Sequence, residues 1–312
     1  MSMGISFVPH DKSGEEIKGA KCREYIYFKV KFNGFRDVSG STANEVIDKE
    51  EISECECVLA LPDSYTEGGE PTQLILACHG AGSTVKEDTL QVGGLTQVSE
   101  CLDNGYAALD VAGSLPHGLT MGCPEHLFAL YKAYKYAVRN YNLTDNVLLA
   151  GASMGGQTAL NFASMFPSIV TAVGIFFPRL NIDGVEVDGH YCIGTWDKTV
   201  KKANGISTKD RVVSVFRFPS EEWCAKNTVG SNSYKLRSYV GADGKRVVIP
   251  PCPIKIWQGT ADNVTDPVMA KEFIESIHRS GSYAELHLLD GIGHNVTDVM
   301  KKEQLIWFNR FI

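Results

Sequence analysis

Apolar and polar side chains alternate in the first part of the chain, and continuously apolar runs replace that alternation further on. REYIYFKVKF (Arg23 to Phe32) alternates, which predicts a strand with one buried face. CECVLALP (Cys55 to Pro62) predicts a second strand. QLILACHG (Gln73 to Gly80) is apolar throughout and ends in glycine, as a strand covered on both faces does. YAALDVAG (Tyr106 to Gly113), NVLLA (Asn146 to Ala150), VTAVGIFF (Val170 to Phe177), PIKIWQG (Pro253 to Gly259) and AELHLLD (Ala284 to Asp290) read the same way.

Between these runs the apolar period becomes helical. One helix is predicted near Leu95 to Leu102. PEHLFALYKAYKYAVRNYN (Pro124 to Asn142) opens with proline, a helix-start signal, and its Leu127, Leu130, Tyr131, Tyr134 and Ala137 recur at helical spacing. Further helices are predicted up to Phe166, over PVMAKEFIESIHRSG (Pro267 to Gly281), and from about Asp298 to Phe311. Strands alternating with helices predict an α/β fold, a mostly parallel central sheet with helices on both faces. The first two strands lack an intervening helix, which predicts an antiparallel edge.

Residues 179–251 break this rhythm, being far too long for a simple strand-to-helix connection. They hold RVVSVFRF, a short helical stretch SEEWCAKN, and a hairpin pattern in YKLRSYVGADGKRVVI. The interval reads as a cap inserted over the carboxyl edge of the sheet, with residues 1–178 and 252–312 forming the core domain.

Composition narrows the function classes. The chain has 312 residues and a net charge of −7, which argues against a nucleic-acid partner. No apolar run approaches the roughly 20 residues of a membrane span, so no membrane partner is expected. The first residues lack a basic region followed by an apolar stretch, so the expected location is cytoplasmic. Nine cysteines at irregular spacing read as buried free thiols. They form no zinc pattern, and no metal is expected.

The chemistry concentrates at GASMGG (Gly151 to Gly156), between a predicted strand and a predicted helix. Gly151-x-Ser153-x-Gly155 in that context is the signature of a nucleophile elbow. The turn is so tight that side chains two residues either side of the serine would collide, hence Gly151 and Gly155. The Met154 amide falls at a helix start, where donors are unpaired and the dipole is positive. A serine needs a base. His294, in DGIGHNV just after the last strand, lies at the carboxyl edge where open α/β sheets bind ligands. His79 and His117 are weaker competitors. The base needs a carboxylate to orient it. WQGTADNVTDP offers Asp262, which is preferred, and Asp266, which also fits an N-cap before Pro267. Asp290 is a lesser rival. The second oxyanion donor is expected from HGAG after QLILACHG, with the Ala81 amide as first choice and Gly82 as alternate.

LALPDSY, LACHGAGS, NVLLAGASMGG, IWQGTADNV and LDGIGH stand in the order and spacing of the α/β-hydrolase superfamily, which the chain resembles from Tyr25 onward. Within it, the chain looks like the carboxylesterase branch that includes feruloyl, acetyl-xylan and esterase-D-like enzymes. The resemblance implies a serine carboxylesterase that hydrolyses an ester through an acyl-enzyme, without a cofactor, on a small-molecule or carbohydrate ester. The oxyanion loop departs from the family's HGGG, and Gln258 stands where many members have histidine. Trp196, Trp223, Trp257 and His79 are candidates to line the substrate pocket. Two rival readings are a serine peptidase or amidase of the same fold and a non-catalytic binding protein on this scaffold.

Overall fold

A computed structural model describes residues 5–7, 23–33, 52–112, 122, 124–180, 185–187, 190–192, 238–240, 246–248, 252–279 and 281–312. Its frame is a nine-stranded sheet. The strands are β1 (Ile5–Phe7), β2 (Arg23–Asn33), β3 (Ile52–Leu61), β4 (Thr72–Cys78), β5 (Ala107–Val111), β6 (Leu143–Ala152), β7 (Val170–Phe176), β8 (Ile254–Gly259) and β9 (Ala284–Leu289). Their spatial order is β1-β2-β3-β5-β4-β6-β7-β8-β9. The pairings from β1 to β5 are antiparallel, and those from β5 through β9 are parallel. The antiparallel pairing of β2 with β3 and of β3 with β5 makes the edge that the sequence pattern predicts.

The helices are α1 (Ser99–Asp103), α2 (Pro124–Asn140), α3 (Met154–Met165), α4 (Pro267–Arg279) and α5 (Asp298–Phe308). Period-two alternation in the central strands sends side chains to both faces, and the helices divide accordingly. Leu74, Leu76, Leu109, Leu149, Ile175 and Ile256 pack in one core with Leu130 of α2, Phe162 of α3 and Phe273 of α4. Ile75, Ala77, Leu148, Ala172 and Trp257 pack in the other with Cys101 of α1 and Trp307 of α5. With both faces covered, the buried stretches of β4, β6 and β7 need apolar residues on both sides, which explains their apolar runs.

The predicted helix near Leu95 is a 3₁₀ stretch over Gly93–Val98 that continues into the short α1. Gly94 is pressed against β4, where an added Cβ would lie 2.2 Å from the Ala77 carbonyl oxygen. Strand β1, which the sequence pattern did not single out, extends the antiparallel edge.

Of the interval read as a cap, two short antiparallel pairs are described, Val185–Val187 with His190–Cys192 and Ser238–Val240 with Arg246–Val248. The second falls in the predicted hairpin. RVVSVFRF, SEEWCAKN, Trp196 and Trp223 lie outside the described residues, as does His117. No described helix is long and apolar enough to cross a membrane.

Candidate active site

Every parallel strand runs toward the same sheet edge, so the segments leaving β4, β6, β7, β8 and β9 gather there. A cleft of about 680 Å³ opens at this edge, lined by Ala81 and Gly82 after β4, Ser153 after β6, Phe177 after β7 and His294 after β9. That size is typical of a small-molecule site.

Ser153 joins β6 to α3 with φ 56° and ψ −116°. A residue bearing a Cβ held at such angles costs on the order of 1–3 kcal/mol, which the surroundings must offset. They do so through the backbone: the Ser153 amide donates to the Phe176 carbonyl at 3.0 Å, and its own carbonyl accepts from Arg179 N at 3.0 Å. Steric limits explain the glycines around it. A Cβ on Gly151 would lie 2.4 Å from the Gly155 carbonyl oxygen, and one on Gly155 only 2.0 Å from the Cys78 carbonyl oxygen. The first turn of α3 therefore crosses directly over β6 and the end of β4.

Met154 is the first residue of α3, so its amide has no partner one turn back. Across the cleft, Ser83 N bonds the Gly80 carbonyl at 3.2 Å and closes a turn around Ala81 and Gly82. Gly82 has φ +89°, a conformation its missing Cβ makes accessible. Neither turn amide makes a backbone hydrogen bond among the described residues.

His294 and Asp262 meet directly, with Nδ1 2.8 Å from Oδ2. The carboxylate is heavily engaged. Oδ1 accepts from the amides of Val264 at 2.8 Å and Thr265 at 2.9 Å. Oδ2 also accepts from the Thr265 hydroxyl at 2.8 Å and from Gln258 Nε2 at 3.1 Å. Burial pushes its pKa upward, but the bonds from His294 and from the Thr265 and Val264 amides outweigh burial and hold it at about 2. Gln258, the departure from the family pattern, thus acts on the carboxylate itself. Phe177 packs its ring 4.4 Å from the imidazole, centroid to centroid, and limits how the ring can turn.

Among the described residues the Ser153 hydroxyl makes no hydrogen bond, so serine and imidazole line one cleft without being joined across it. Catalytic bonds commonly tighten only when substrate is present.

The depressed pKa has a stability consequence. An aspartate lowered from 3.8 to about 2 stabilises the fold fully above its unfolded value and loses that contribution as pH falls through about 2. The difference in unfolding free energy between the wild type and Asp262→Asn is expected to shrink by about 2 kcal/mol between pH 5 and pH 2. Urea titrations across that range check it, and a difference independent of pH would contradict the depressed value.

The other candidates go elsewhere. Asp266 caps α4, accepting from Val268 N at 3.0 Å. Asp290 accepts from the Thr260 hydroxyl at 3.2 Å and touches no described histidine. Trp257 was expected in the pocket, but it is fully buried beneath the sheet, with Nε1 donating to Glu303 of α5 at 2.6 Å. Strand alternation sends it to the α5 face, where its buried indole N–H needs an acceptor and the half-buried Glu303 carboxylate provides one. His79 is likewise not a lining residue. Its ring is buried, and Nδ1 lies 2.9 Å from Asp110 Oδ2. A fully buried carboxylate requires partners, and His79 and the Gly94 amide, at 2.7 Å, provide them. Asp110 thereby ties the turn after β4 to the Gly93–Gly94 wall of the cleft. Thr265, Phe177 and Asp110 carried no readable signal in the sequence, and Gln258 stood out there only as a departure from the resembled pattern. No group of His, Cys, Asp or Glu among the described residues is arranged to hold a metal ion.

No protein-family model matches the chain, and no curated protein matches its sequence. Its structure is similar to that of Pyrococcus horikoshii acylaminoacyl peptidase, with a TM-score of 0.58 and 13% identity over 94% of this chain and 42% of that one. Thermogutta terrifontis esterase 2 aligns with a TM-score of 0.55 and 15% identity, covering 82% of this chain and 88% of the esterase. Est1E from Butyrivibrio proteoclasticus aligns at 0.51 and 15% identity, covering 85% of this chain and 96% of its own. The chain spans only 35% of the length of a puromycin hydrolase that it also resembles. The sheet order, its covered faces and these likenesses define the α/β-hydrolase fold.

Proposed function

We propose that the chain is a serine hydrolase acting on carboxylic esters, with acyl, acetyl or feruloyl groups on a carbohydrate or small alcohol as its substrates. The observation that carries this reading is the strained Ser153 lining the same cleft as an imidazole whose Nδ1 is fixed by a buried carboxylate. In this mechanism Ser153 Oγ attacks the ester carbonyl while His294 Nε2 takes its proton. The amides of Met154 and Ala81, with Gly82 as alternate, receive the developing oxyanion. His294 then delivers the proton to the departing alcohol, leaving an acyl-serine. Water attacks the acyl-serine with His294 again as base, releasing the acid and restoring Ser153. Asp262 holds the tautomer throughout. No step calls for a cofactor.

One of the compared proteins is called an esterase, and this chain covers 88% of it, whereas it covers 42% of the acylaminoacyl peptidase. That likeness in size supports the ester reading. A fluorophosphonate probe, used with matched p-nitrophenyl esters and p-nitroanilides, tests the reading. Labelling at Ser153 with ester turnover exceeding anilide turnover is expected. Faster anilide turnover would favour the amidase, and folded protein that resists the probe would favour a binding role.

The pH profile is a separate check. Asp262, held at about 2, stays ionised wherever a histidine titrates. The acid limb of kcat/KM is therefore expected to fall with the uptake of a single proton, the one that disables the base, and not with two. Full activity at pH 4 would eliminate a histidine base.

A further inference from the structure

The carboxyl end of β8 carries a glutamine where packing alone favours an apolar side chain. Gln258 is fully buried. Its Nε2 donates to Asp262 Oδ2 at 3.1 Å and to the Thr265 carbonyl at 3.2 Å, with the Gly259 carbonyl at 3.4 Å. Its Oε1 is also buried and has no hydrogen-bond partner among the described residues. Turning the amide over would set Oε1 against three oxygens and leave Nε2 unpartnered. A buried acceptor without a partner costs stability, a cost that an apolar methionine in the same place would avoid. The amide nevertheless does what no apolar residue could. Asp262 Oδ1 is fixed by the Val264 and Thr265 amides. Oδ2, which faces His294 Nδ1, is met by the Thr265 hydroxyl and by Gln258. That hydroxyl has one proton and a second acceptor within reach, the Phe177 carbonyl at 3.3 Å. Gln258 Nε2 has two protons, one for the carboxylate and one for the Thr265 carbonyl, and so closes the loop around Asp262. The same loop is joined to the histidine loop, with Ala261 N donating to the Ile292 carbonyl at 3.0 Å.

Resting on the serine-hydrolase reading above, we propose that Gln258 is a positioning residue for that reaction: it aims Asp262 Oδ2 at the His294 ring while its own oxygen stays unpartnered. Gln258 does not line the cleft, so it acts through Asp262 and not on substrate. The imidazolium that this carboxylate stabilises forms only as His294 takes the serine proton. An interaction made only at that stage lowers kcat and kcat/KM together when it is lost, and leaves KM alone. A residue kept for packing gives the opposite pattern, lost stability with kcat per folded molecule unchanged.

The test compares Gln258→Met, Gln258→Leu and Gln258→His in the full chain, by p-nitrophenyl butyrate kinetics and urea unfolding. Gln258→Met removes the donor and the stranded oxygen together. Its kcat is expected to fall about tenfold with KM within about twofold, since a slight misplacement of an active-site group costs up to about 10²-fold. Its stability should hold or rise, because no orphaned acceptor remains. Gln258→Leu should follow it. Gln258→His should bring kcat back to within about threefold of the wild type, because histidine Nε2 stands as many bonds from Cα as glutamine Nε2 and can donate from there. Where Gln258→His does not fold, the split between kcat and KM in the apolar variants decides. Wild-type kcat in folded Gln258→Met overturns the proposal, as does a loss carried by KM or a Gln258→His loss equal to that of Gln258→Met. Failure of both apolar variants to fold also overturns it, since Gln258 would then be a requirement of packing. Absent turnover by the wild type is a separate result, which overturns the serine-hydrolase reading and this proposal with it.

Discussion

Replacing Ser153 by alanine is expected to lower kcat toward a p-nitrophenyl ester by about 10⁶-fold, the scale seen when a triad serine is removed from a hydrolase. The fold should survive, because the backbone bonds that hold residue 153 run through its amide and carbonyl rather than its hydroxyl. His294→Ala should cost about as much, since an unactivated hydroxyl is nearly inert. Combining the two should cost little more, because residues that act as one unit do not contribute additively. Asp262→Asn should lose about 10⁴-fold. Asp262 Oδ2 faces three donors, the His294 ring, the Thr265 hydroxyl and Gln258 Nε2. An asparagine amide turned toward them would place donor against donor, so the imidazole would be released or held in the wrong tautomer. Steady-state kinetics on the three single variants and the double variant measure all of this. Independent, multiplying losses in the double variant would mean that serine and histidine do not cooperate, and the proposed mechanism would fall.

The parts of this molecule legible in the sequence are those where local pattern and tertiary demand coincide. TQLILAC is apolar because helices cover both sides of β4, and GASMGG is rich in glycine because neighbouring backbone leaves no room for side chains. Order along the chain was enough to bring Asp262 and His294 to one sheet edge, since parallel strands all end there. Contacts between distant segments were not legible. Asp110 reads as one polar residue interrupting an apolar run, and its partners His79 and Gly94 come from separate connections. Trp257 sits two residues before the end of β8, and only the placement of α5, with Glu303 beneath it, decides that the indole points away from the cleft. Gln258 and Thr265 could be named as neighbours of Asp262 in sequence, but a bond to its carboxylate needs the loop to fold back on itself. The helix predicted near Leu95 to Leu102 is present, but its first half is 3₁₀, a form set by the close contact of Gly94 with Ala77 rather than by its own periodicity.

That close approach of backbones yields the largest structural effect. Gly155→Ala is expected to destabilise the protein by about 3 kcal/mol or more, at the upper end of what overpacking usually costs. The added methyl would lie 2.0 Å from the Cys78 carbonyl oxygen and 2.8 Å from that of His79. Both are main-chain atoms at the end of β4, so no side-chain rotation relieves the clash. Either α3 lifts from the sheet or the end of β4 moves. Lifting α3 would loosen contacts in the core that Phe162 and Leu160 share with β4 and β6, and moving β4 would displace the turn carrying Ala81 and Gly82. Activity is therefore expected to fall together with stability. Gly68→Ala is the matched control: nothing lies within 4 Å of its added Cβ, and its change should stay within about 0.5 kcal/mol. Denaturant unfolding of the two variants beside the wild type gives the comparison. Equal stabilities for the two would mean that α3 has slack over the strand, and the steric account of the GASMGG glycines would be lost.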